Sequence, residues 1–325
     1  WTDVSVSSGI AAKPGTGMGT VCGDFDQDGD TDIYVANDEM ANFLYQNDGL
    51  GGFVEVGVFC GAAFDDTGHA RGSMGAECGD FDNDGQLDLF VTAYQHESAS
   101  LYRNLGRLVF QDVTLLTHAG AGTAPHVTWG CCLADLDNDG DRDLFIACGH
   151  LDDRNENSVY RARNLVLKNL LVEQGVARFE NVSDSCGDGM LAKFSSRGAA
   201  VDDLDGDGDL DVVVLNSRDR PTILKNLLQE RGCHNHWLRV ALRGTRSNRD
   251  GVGARVHVVA QDLVLVDEVH SGRGYQSHWG SQLHFGLGPR ARVDRIEVHW
   301  IGGGVDVLTD VPADRLVTVR QSAAP

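Results

Sequence analysis

Positive charge and long apolar runs are scarce in this chain of 325 residues. Its 27 lysines and arginines are outnumbered by 48 aspartates and glutamates, which gives a formal net charge of −21. A nucleic-acid-binding protein normally carries the opposite sign because it must neutralise phosphates, so we expect no nucleic-acid partner. No stretch approaches the roughly 20 apolar residues of a membrane-spanning helix. A cationic partner fits this composition better.

Signatures of catalysis and of zinc binding are missing as well. The sequence contains no HExxH, no GxSxG, no P-loop and no dinucleotide-binding glycine motif in the required context. No CxxC pair occurs among the eight cysteines, which argues against a zinc ribbon. The even cysteine count permits disulfides in an oxidising compartment, and the alternative is that several cysteines are small buried residues.

Glycine is abundant and aromatic residues are few, at 40 residues and 7% of the chain. This balance suits a β protein rich in turns, and a hydrophobic content of 42% can bury a sizeable core. The length allows one large all-β domain or two domains. Helical periodicity is not convincing anywhere; the nearest candidate, residues 162–175, is better interpreted as a strand and a turn.

One acidic pattern recurs four times. Each copy has aspartate at positions 1, 3, 5 and 9, glycine at position 6 and an apolar run afterwards, as in CGDFDQDGDTDIYVAN at 22–37. The first aspartates are Asp24, Asp80, Asp135 and Asp203, separated by 56, 55 and 68 residues. A regular period of this length indicates repeated supersecondary units.

Other sequence features recur with the same period and predict four short strands in each unit. Aromatic-led strands begin at Trp1, Phe53, Phe110 and Phe179. Strands that end in asparagine follow the acidic loops, at Asn47, Asn104, Asn169 and Asn226. Four antiparallel strands repeated at this period describe the blade of a β-propeller. The third unit is longer because a polar stretch at 149–163, predicted to be an extended loop, is inserted there.

The acidic loops predict calcium sites. Calcium takes six to eight hard oxygen ligands, and alternate carboxylates turn towards one centre as a loop with glycine at position 6 curls. Position 7 is expected to contribute a backbone carbonyl, which explains why glutamine is tolerated there. A solvated acidic turn is the alternative for one loop, but four loops in register argue against it. About four Ca²⁺ ions are expected, with ligands from Asp24, Asp26, Asp28, Asp30, Asp32, Asp80, Asp82, Asp84, Gln86, Asp88, Asp135, Asp137, Asp139, Asp141, Asp143, Asp203, Asp205, Asp207, Asp209 and Asp211.

The pattern DxDxDGxxD, followed by an apolar triplet, resembles the FG-GAP/VCBS repeats of integrin-α-type propellers. The phrases DFDNDGQLDLFV (80–91) and FQDVT (110–114) are similar to the cartilage-acidic-protein family, and GRGYQSHWGSQLHFGLG (272–288) to its ASPIC/UnbV module. Thr31 and Arg142 depart from the aliphatic residue usual at position 8, without removing a ligand. The resemblance implies a calcium-stabilised protein that is secreted, on the cell surface or periplasmic, and it implies no established chemistry.

We divide the chain into four propeller repeats (1–235) and an ASPIC/UnbV-like β module (236–325) with seven predicted strands and no acidic loop. Trp1–Val6 matches the last strand of a blade, so its blade must be completed from elsewhere. The seven strands and Trp1–Val6 could build two calcium-free blades that close the ring, which is the arrangement we favour. The alternative is a separate β-sandwich packed beside an incomplete ring.

The face opposite the acidic loops is the candidate ligand face. By repeat symmetry, residues that precede four in-step glycines ring the channel mouth, and one inner strand carries an unexpected acid. The candidate residues are Met18, Met74, Glu77, His126, Trp129 and Arg197, although they could also be ordinary loop residues. Two functions compete: a non-catalytic scaffold that binds a protein or glycan or assembles with copies of itself, and a lyase- or cyclase-type enzyme. The missing nucleophile–base signature favours the scaffold.

Overall fold

A computed structural model describes residues 1–153 and 160–323, and the architecture is all-β as predicted. Twenty-two strands form six sheets among these residues. The described helices are single turns, too short to cross a bilayer. Residues 154–159, in the stretch predicted to be an extended loop, lie outside the described residues.

Blades 1 to 3 are antiparallel meanders of four strands in chain order. Blade 1 comprises β1 (Gly17–Gly23), β2 (Asp32–Asn37), β3 (Phe43–Asn47) and β4 (Phe53–Glu55) and is followed by helix α1 (Gly57–Cys60). Blade 2 comprises β5 (Ser73–Gly79), β6 (Asp88–Ala93), β7 (Ser100–Asn104) and β8 (Phe110–Asp112), followed by α2 (Thr114–Thr117). Blade 3 comprises β9 (Thr128–Ala134), β10 (Asp143–Cys148), β11 (Leu165–Asn169) and β12 (Phe179–Asn181), with α3 (Leu171–Gln174) before β12. In each blade, the predicted acidic loop joins the first strand to the second.

Blade 4 has only three strands, β13 (Ser196–Asp202), β14 (Asp211–Asn216) and β15 (Thr222–Leu224). No aromatic-led strand follows β15 in the sheet as described. The strand predicted at Trp1–Val6 is wrong, because residues 1–4 have no regular structure, Ser5 and Val6 lie in a turn, and the Trp1 side chain is fully exposed. The fourth blade therefore ends on an uncovered third strand.

The inner strands β1, β5, β9 and β13 pack side by side in chain order. In-step glycines permit this close approach: a Cβ on Gly19 would lie 2.5 Å from the Met74 carbonyl oxygen, and one on Gly75 only 2.3 Å from that of Trp129. Packing of similar extent does not join β13 back to β1 in the described residues. The four blades therefore form an arc that does not close on itself.

The seven strands predicted after residue 235 are confirmed, but they do not form blades. They are β16 (His236–Arg243), β17 (Arg255–Ala260), β18 (Leu263–Glu268), β19 (Gln282–Gly288), β20 (Arg292–His299), β21 (Val305–Pro312) and β22 (Arg315–Arg320). One sheet has the order β19-β16-β22 with a parallel pair, the other β18-β17-β20-β21, and both enclose one core around Val258 and Phe285. A blade is an antiparallel meander, so the favoured pair of calcium-free blades is wrong, and the sandwich alternative is correct.

The asparagine at the end of each third strand joins neighbouring blades. The Asn104 side-chain amide donates to the Phe25 carbonyl oxygen in the loop of the preceding blade, at 2.8 Å. Asn169 and Asn226 repeat this bond with the corresponding carbonyls of blades 2 and 3, also at 2.8 Å. Asn47 lies in blade 1, where its amide donates within its own loop. The repeated asparagine is thus an inter-blade bridge.

We expect Asn169→Ala to lower the free energy of unfolding more than Asn47→Ala does. Asn169 is fully buried, and its loss leaves carbonyl groups of two blades without a donor, at a cost of about 1–3 kcal/mol. Urea denaturation of the two variants and the wild type measures the difference. Equal costs at the two positions would contradict an inter-blade role.

Candidate calcium sites and the central channel

Carboxylates converge in every acidic loop. In the first three loops, oxygens from positions 1, 3 and 9 lie within 4.8 Å of one another. In the fourth loop, oxygens from positions 1, 3 and 5 lie this close together. Groups of this kind can hold a cation, and their all-oxygen composition suits Ca²⁺.

Backbone amides fix the orientation of the first and last carboxylates, as the second loop illustrates. Asp80 accepts hydrogen bonds from the amides of Asp84 (3.1 Å) and Gly85 (2.8 Å). Gly85 has a φ of 85°, a conformation that favours glycine and confirms the turn predicted at position 6. Asp88 accepts from the amides of Phe81 (3.1 Å) and Asn104 (2.8 Å). The loop is therefore shaped by the chain itself.

Some loop oxygens are buried and have no hydrogen-bond partner. They are Asp82 Oδ1, Asp137 Oδ1, Asp139 Oδ2 and Asp141 Oδ1. A buried carboxylate oxygen without a partner is costly, and a bound cation would remove that cost. The residues present therefore fit a hard divalent ion. At position 7, Asp141 Oδ2 accepts from the Val172 amide (2.8 Å), so this side chain also serves the following helix α3.

A donor side chain that the sequence analysis missed faces each group of carboxylates. The residue before the asparagine that ends the third strand contacts position 3 in all four repeats: Gln46, Arg103, Lys168 and Lys225. Arg103 Nε lies 2.7 Å from Asp82 Oδ2, and Lys225 Nζ 2.7 Å from Asp205 Oδ2. The signal was available, because all four residues precede the in-step asparagine and carry a donor group. Arg103, Lys168 and Lys225 offset part of the negative charge of their loops, whereas Gln46 is neutral and only donates a hydrogen bond.

Burial and mutual repulsion raise the pKa of most loop carboxyl groups. Burial raises the pKa of Asp32 and of Asp80 to about 7. Burial, and then the charge of Asp135, raises the pKa of Asp139 to about 9. Asp205 shows the opposite shift, because its hydrogen bond with Lys225 lowers its pKa. The ionised loops are thus unfavourable until a cation offsets their charge.

The segment between β18 and β19, residues 269–281, lies against the inner strands and is here called the plug. Its Gly274 exchanges backbone hydrogen bonds with Ala76 of blade 2, at 2.7 and 3.1 Å. His270 Nδ1 lies 2.8 Å from the Cys22 carbonyl oxygen of blade 1. The Tyr275 ring packs on Trp129 of blade 3, with ring centroids 5.0 Å apart. The sandwich therefore reaches into the concave side of the arc.

The plug covers much of the candidate ligand face. Glu77 is fully buried, and its Oε1 accepts from Arg273 Nε at 2.6 Å. Met74 and Trp129 are buried beside Tyr275 of the plug. The expectation of an open mouth at these three positions is therefore wrong. Sequence alone could not show that a distant segment occupies this space.

The other candidate ligand residues remain partly accessible. Arg197 lies over the Trp129 ring, 4.3 Å from its centroid, and donates to Ser195 Oγ at 2.9 Å. Met18 is exposed. His126 lines a separate cavity of about 280 Å³, and burial lowers its pKa. The six candidates thus do not form one site.

All eight cysteines lie within the described residues, and none forms a disulfide. Five are buried, at positions 60, 78, 131, 132 and 148. Burial raises the pKa of Cys148 and Cys78, which keeps both thiols protonated. The structure therefore agrees with the alternative that several cysteines are small core residues.

The acidic loops and the sandwich both match known protein families. Residues 24–91 and 80–146 match the FG-GAP-like repeat, and residues 244–325 match the ASPIC and UnbV family. The chain contains FG-GAP-like repeats and an ASPIC and UnbV domain. The family matches thus cover the acidic loops of blades 1 to 3 and most of the sandwich.

Three relatives carry the name Cartilage acidic protein 1, and each is 28% identical to this FG-GAP-repeat protein. The protein of Mus musculus aligns with 99% of this chain, and those of Homo sapiens and Xenopus tropicalis with 93% each. The chain spans less than half of each relative, at 47%, 43% and 45%. A solved structure of an N-acetylglucosamine-recognising protein of Agrocybe aegerita aligns with 63% of this chain and 51% of its own, at 19% identity and a TM-score of 0.34, which supports no argument.

The metal-free FG-GAP-repeat protein should be more stable at pH 5 than at pH 8. Folding raises the pKa of buried loop carboxyls such as Asp139, so the folded state holds more protons than the unfolded state, and stability falls as pH rises through the raised values. We expect a loss of at least ~1.4 kcal/mol, the equivalent of one pKa unit. Urea midpoints in metal-stripped buffers measure it. A metal-free stability that rises from pH 5 to pH 8 would contradict this account.

Removing the buried acid of the channel should destabilise the protein. Glu77→Ala leaves the Arg273 guanidinium without its closest partner in a site with no solvent access, at an expected cost of about 3–5 kcal/mol. Asp310→Ala is the matched control, because its ion pair with Arg292 is solvent-exposed and should contribute less than ~1 kcal/mol. Chemical denaturation distinguishes the two. Similar costs for both variants would show that the buried pair does not anchor the plug.

Proposed function

We propose that this protein is a calcium-stabilised, extracellular and non-catalytic β-propeller scaffold that binds a protein or glycan partner or assembles with copies of itself. In this proposal, the repeats occupy residues 1–235 and the ASPIC/UnbV module residues 236–325. The observation that carries it is the set of buried carboxylate oxygens without a hydrogen-bond partner in the second and third acidic loops. A cation is the partner that such oxygens need.

Calcium binding would stabilise the folded state on which the scaffold role depends. About four ions, one in each loop, would offset carboxylates that otherwise repel one another at the edge of each blade. Positions 1, 3, 5 and 9 of each loop would supply side-chain oxygens, and position 7 a backbone carbonyl. The loop carbonyl oxygens accept hydrogen bonds from the bridging asparagines of the next blade. Ion binding, which holds the loops in place, would therefore also fix the spacing between blades.

The extracellular location is inferred from three observations together. The relatives are named for cartilage, the net charge of −21 suits a calcium-rich medium, and the structure has hard-oxygen clusters that could hold ions. The enzyme alternative gains no support from the described residues, because Glu77 is sealed in an ion pair. Binding surfaces must then lie outside the plugged channel.

Calcium removal tests the scaffold proposal. Chelation should lower the melting temperature by roughly 10 °C or more, since a ligand at 1,000 times its Kd adds about 4 kcal/mol, and added calcium should restore it. Magnesium should restore it poorly, because Mg²⁺ demands tighter octahedral geometry. A melting temperature that changes with neither the chelator nor added calcium would refute the proposal.

Single-loop variants test where the ions bind. Asp137→Asn removes one charge from the third loop and should reduce the titrated stoichiometry from about four ions to about three. Asp66→Asn, which makes the same change on an exposed residue outside the loops, is the matched control. Isothermal titration with calcium counts the sites. Unchanged stoichiometry for Asp137→Asn would exclude this loop as a site.

A further inference from the structure

Basic side chains gather around one cavity of this acidic protein. The cavity has a volume of about 280 Å³ and lies beside the start of β11 and the segment that precedes β13. Its wall includes Arg161, Arg163, Lys193 and His126. Among the described lining residues, the one carboxylate is Asp184, whose side chain is 91% exposed. The cavity therefore has the opposite charge balance to the chain as a whole, whose net charge is −21.

A short backbone bridge explains why three of these cations share one cavity. Ala162 and Phe194 exchange two backbone hydrogen bonds, at 2.9 and 3.0 Å, in an antiparallel bridge. Side chains alternate along paired segments, so Arg161 and Arg163 lie on the opposite face from the buried Ala162 side chain. The residue before Phe194 is Lys193, which lies across the bridge from Arg163. The bridge thus brings together charges from two separate parts of the chain.

Several donor groups of the cavity still lack an acceptor. Arg163 Nε is buried and has no hydrogen-bond partner, whereas Nη1 of the same guanidinium lies 2.8 Å from Asp184 Oδ1. The Lys193 ammonium group is exposed and forms neither an ion pair nor a hydrogen bond with any described residue. Asn164 Oδ1 accepts from the Cys148 amide at 3.0 Å, which directs the side-chain NH₂ group of Asn164 away from that contact. A buried N–H group without a partner is costly, and an acceptor in the cavity would remove that cost.

The local charge matches an oxyanion with a single negative charge. Arg161 pairs with Asp219 at 3.1 Å, so the cavity and its paired groups hold three cations and two carboxylates, a net charge of +1. His126 adds no charge at pH 7, because burial lowers its pKa. A sulfate ester or a carboxylate balances this excess, whereas a phosphate monoester carries about −1.5 to −2. The acidic groups elsewhere contribute little, since salt screens charges beyond about 8 Å.

The rest of the wall is polar, which favours a sugar over a lipid or an apolar peptide. Ala162 and Leu165 are the two apolar residues among those described in the wall. Asn181 and Ser183 add an amide and a hydroxyl group, which are suited to sugar hydroxyls. Apolar anchors of a lipid or a peptide would find little surface to bury here.

We propose that this cavity binds a singly charged oxyanion on a sugar, a sulfate ester or a uronate carboxylate, and so forms a subsite for an acidic glycan. The inference rests on the proposed scaffold function and specifies its glycan partner. The Arg163 guanidinium presents its planar fork to the oxygens of the anion, and Lys193 and Asn164 donate to the same group. The exposed ion pairs with Asp184 and Asp219 contribute at most about 1 kcal/mol each, so a bound anion can replace them.

Titration of calcium-loaded, isotope-labelled protein with simple sugars, followed by two-dimensional NMR, tests the subsite. Glucose monosulfate or glucuronate should shift the amide signals of Ser183 and Lys193, with a dissociation constant at least ~10-fold below that of glucose. Lys193→Gln should raise that constant at least ~10-fold, because it removes a charged donor from an exposed position without disturbing the core. Lys13→Gln is the matched control, since Lys13 pairs with Glu55 outside the cavity.

Other ligands distinguish the possible sources of the anion. Inorganic sulfate, glucose monophosphate and a polyglutamate peptide should each bind more weakly than the preferred acidic sugar. Equal or tighter binding of any of these three overturns the assignment to an acidic sugar, as does equal affinity of the wild type and Lys193→Gln. If neither acidic sugar binds while calcium still raises the melting temperature, this inference fails and the scaffold proposal stands. A melting temperature that calcium does not change contradicts the scaffold proposal, whatever the sugar titrations show.

Discussion

Repulsion among carboxylates at the blade junctions is the constraint on which the architecture depends. Each acidic loop gathers charges within 4.8 Å of one another, and burial raises the pKa of most of them. The same loops accept the asparagine bonds that connect successive blades. A loop that opened under its own charge would therefore disturb two sheets rather than one. The electrostatic repulsion within each loop and the spacing between blades are therefore coupled in this protein.

The sandwich is tied to the same loops. Arg142, at position 8 of the third loop, forms a buried ion pair with Asp267 at 3.0 Å. Glu268 accepts from the Asp24 amide at 3.1 Å, and Arg239 pairs with Asp203 at 3.2 Å. Arg142 looked like a departure from the repeat pattern, and the structure explains it as a contact between the loop and the module. The sandwich thus contacts three loops of the arc, two of them through ion pairs, and it also contributes the plug.

The sequence predicted the local features and not the long-range ones. The repeat period, the spacing of the aspartates and the turn glycines predicted the acidic loops. The alternation of apolar and polar residues predicted all seven strands of the module, because each of these patterns lies within a few residues. The plug could not be predicted, since Arg273 and Glu77 are 196 residues apart and the phrase around Arg273 does not show which residue it pairs with. Trp1–Val6 misled the ring count because a strand pattern does not show whether an edge is available to pair with it.

The residue at position 2 of each acidic loop depends on whether the following blade packs an aromatic ring against it. Phe25 and Phe81 are buried, and each packs on an aromatic ring from the following blade. Leu136 faces the three-stranded blade 4, which brings no such ring, and it is half-buried; Leu204 lies in the last loop and is 50% exposed. A phenylalanine without a neighbouring ring would leave a large apolar surface in water. The change from phenylalanine to leucine along the repeats therefore records where the stack of complete blades ends.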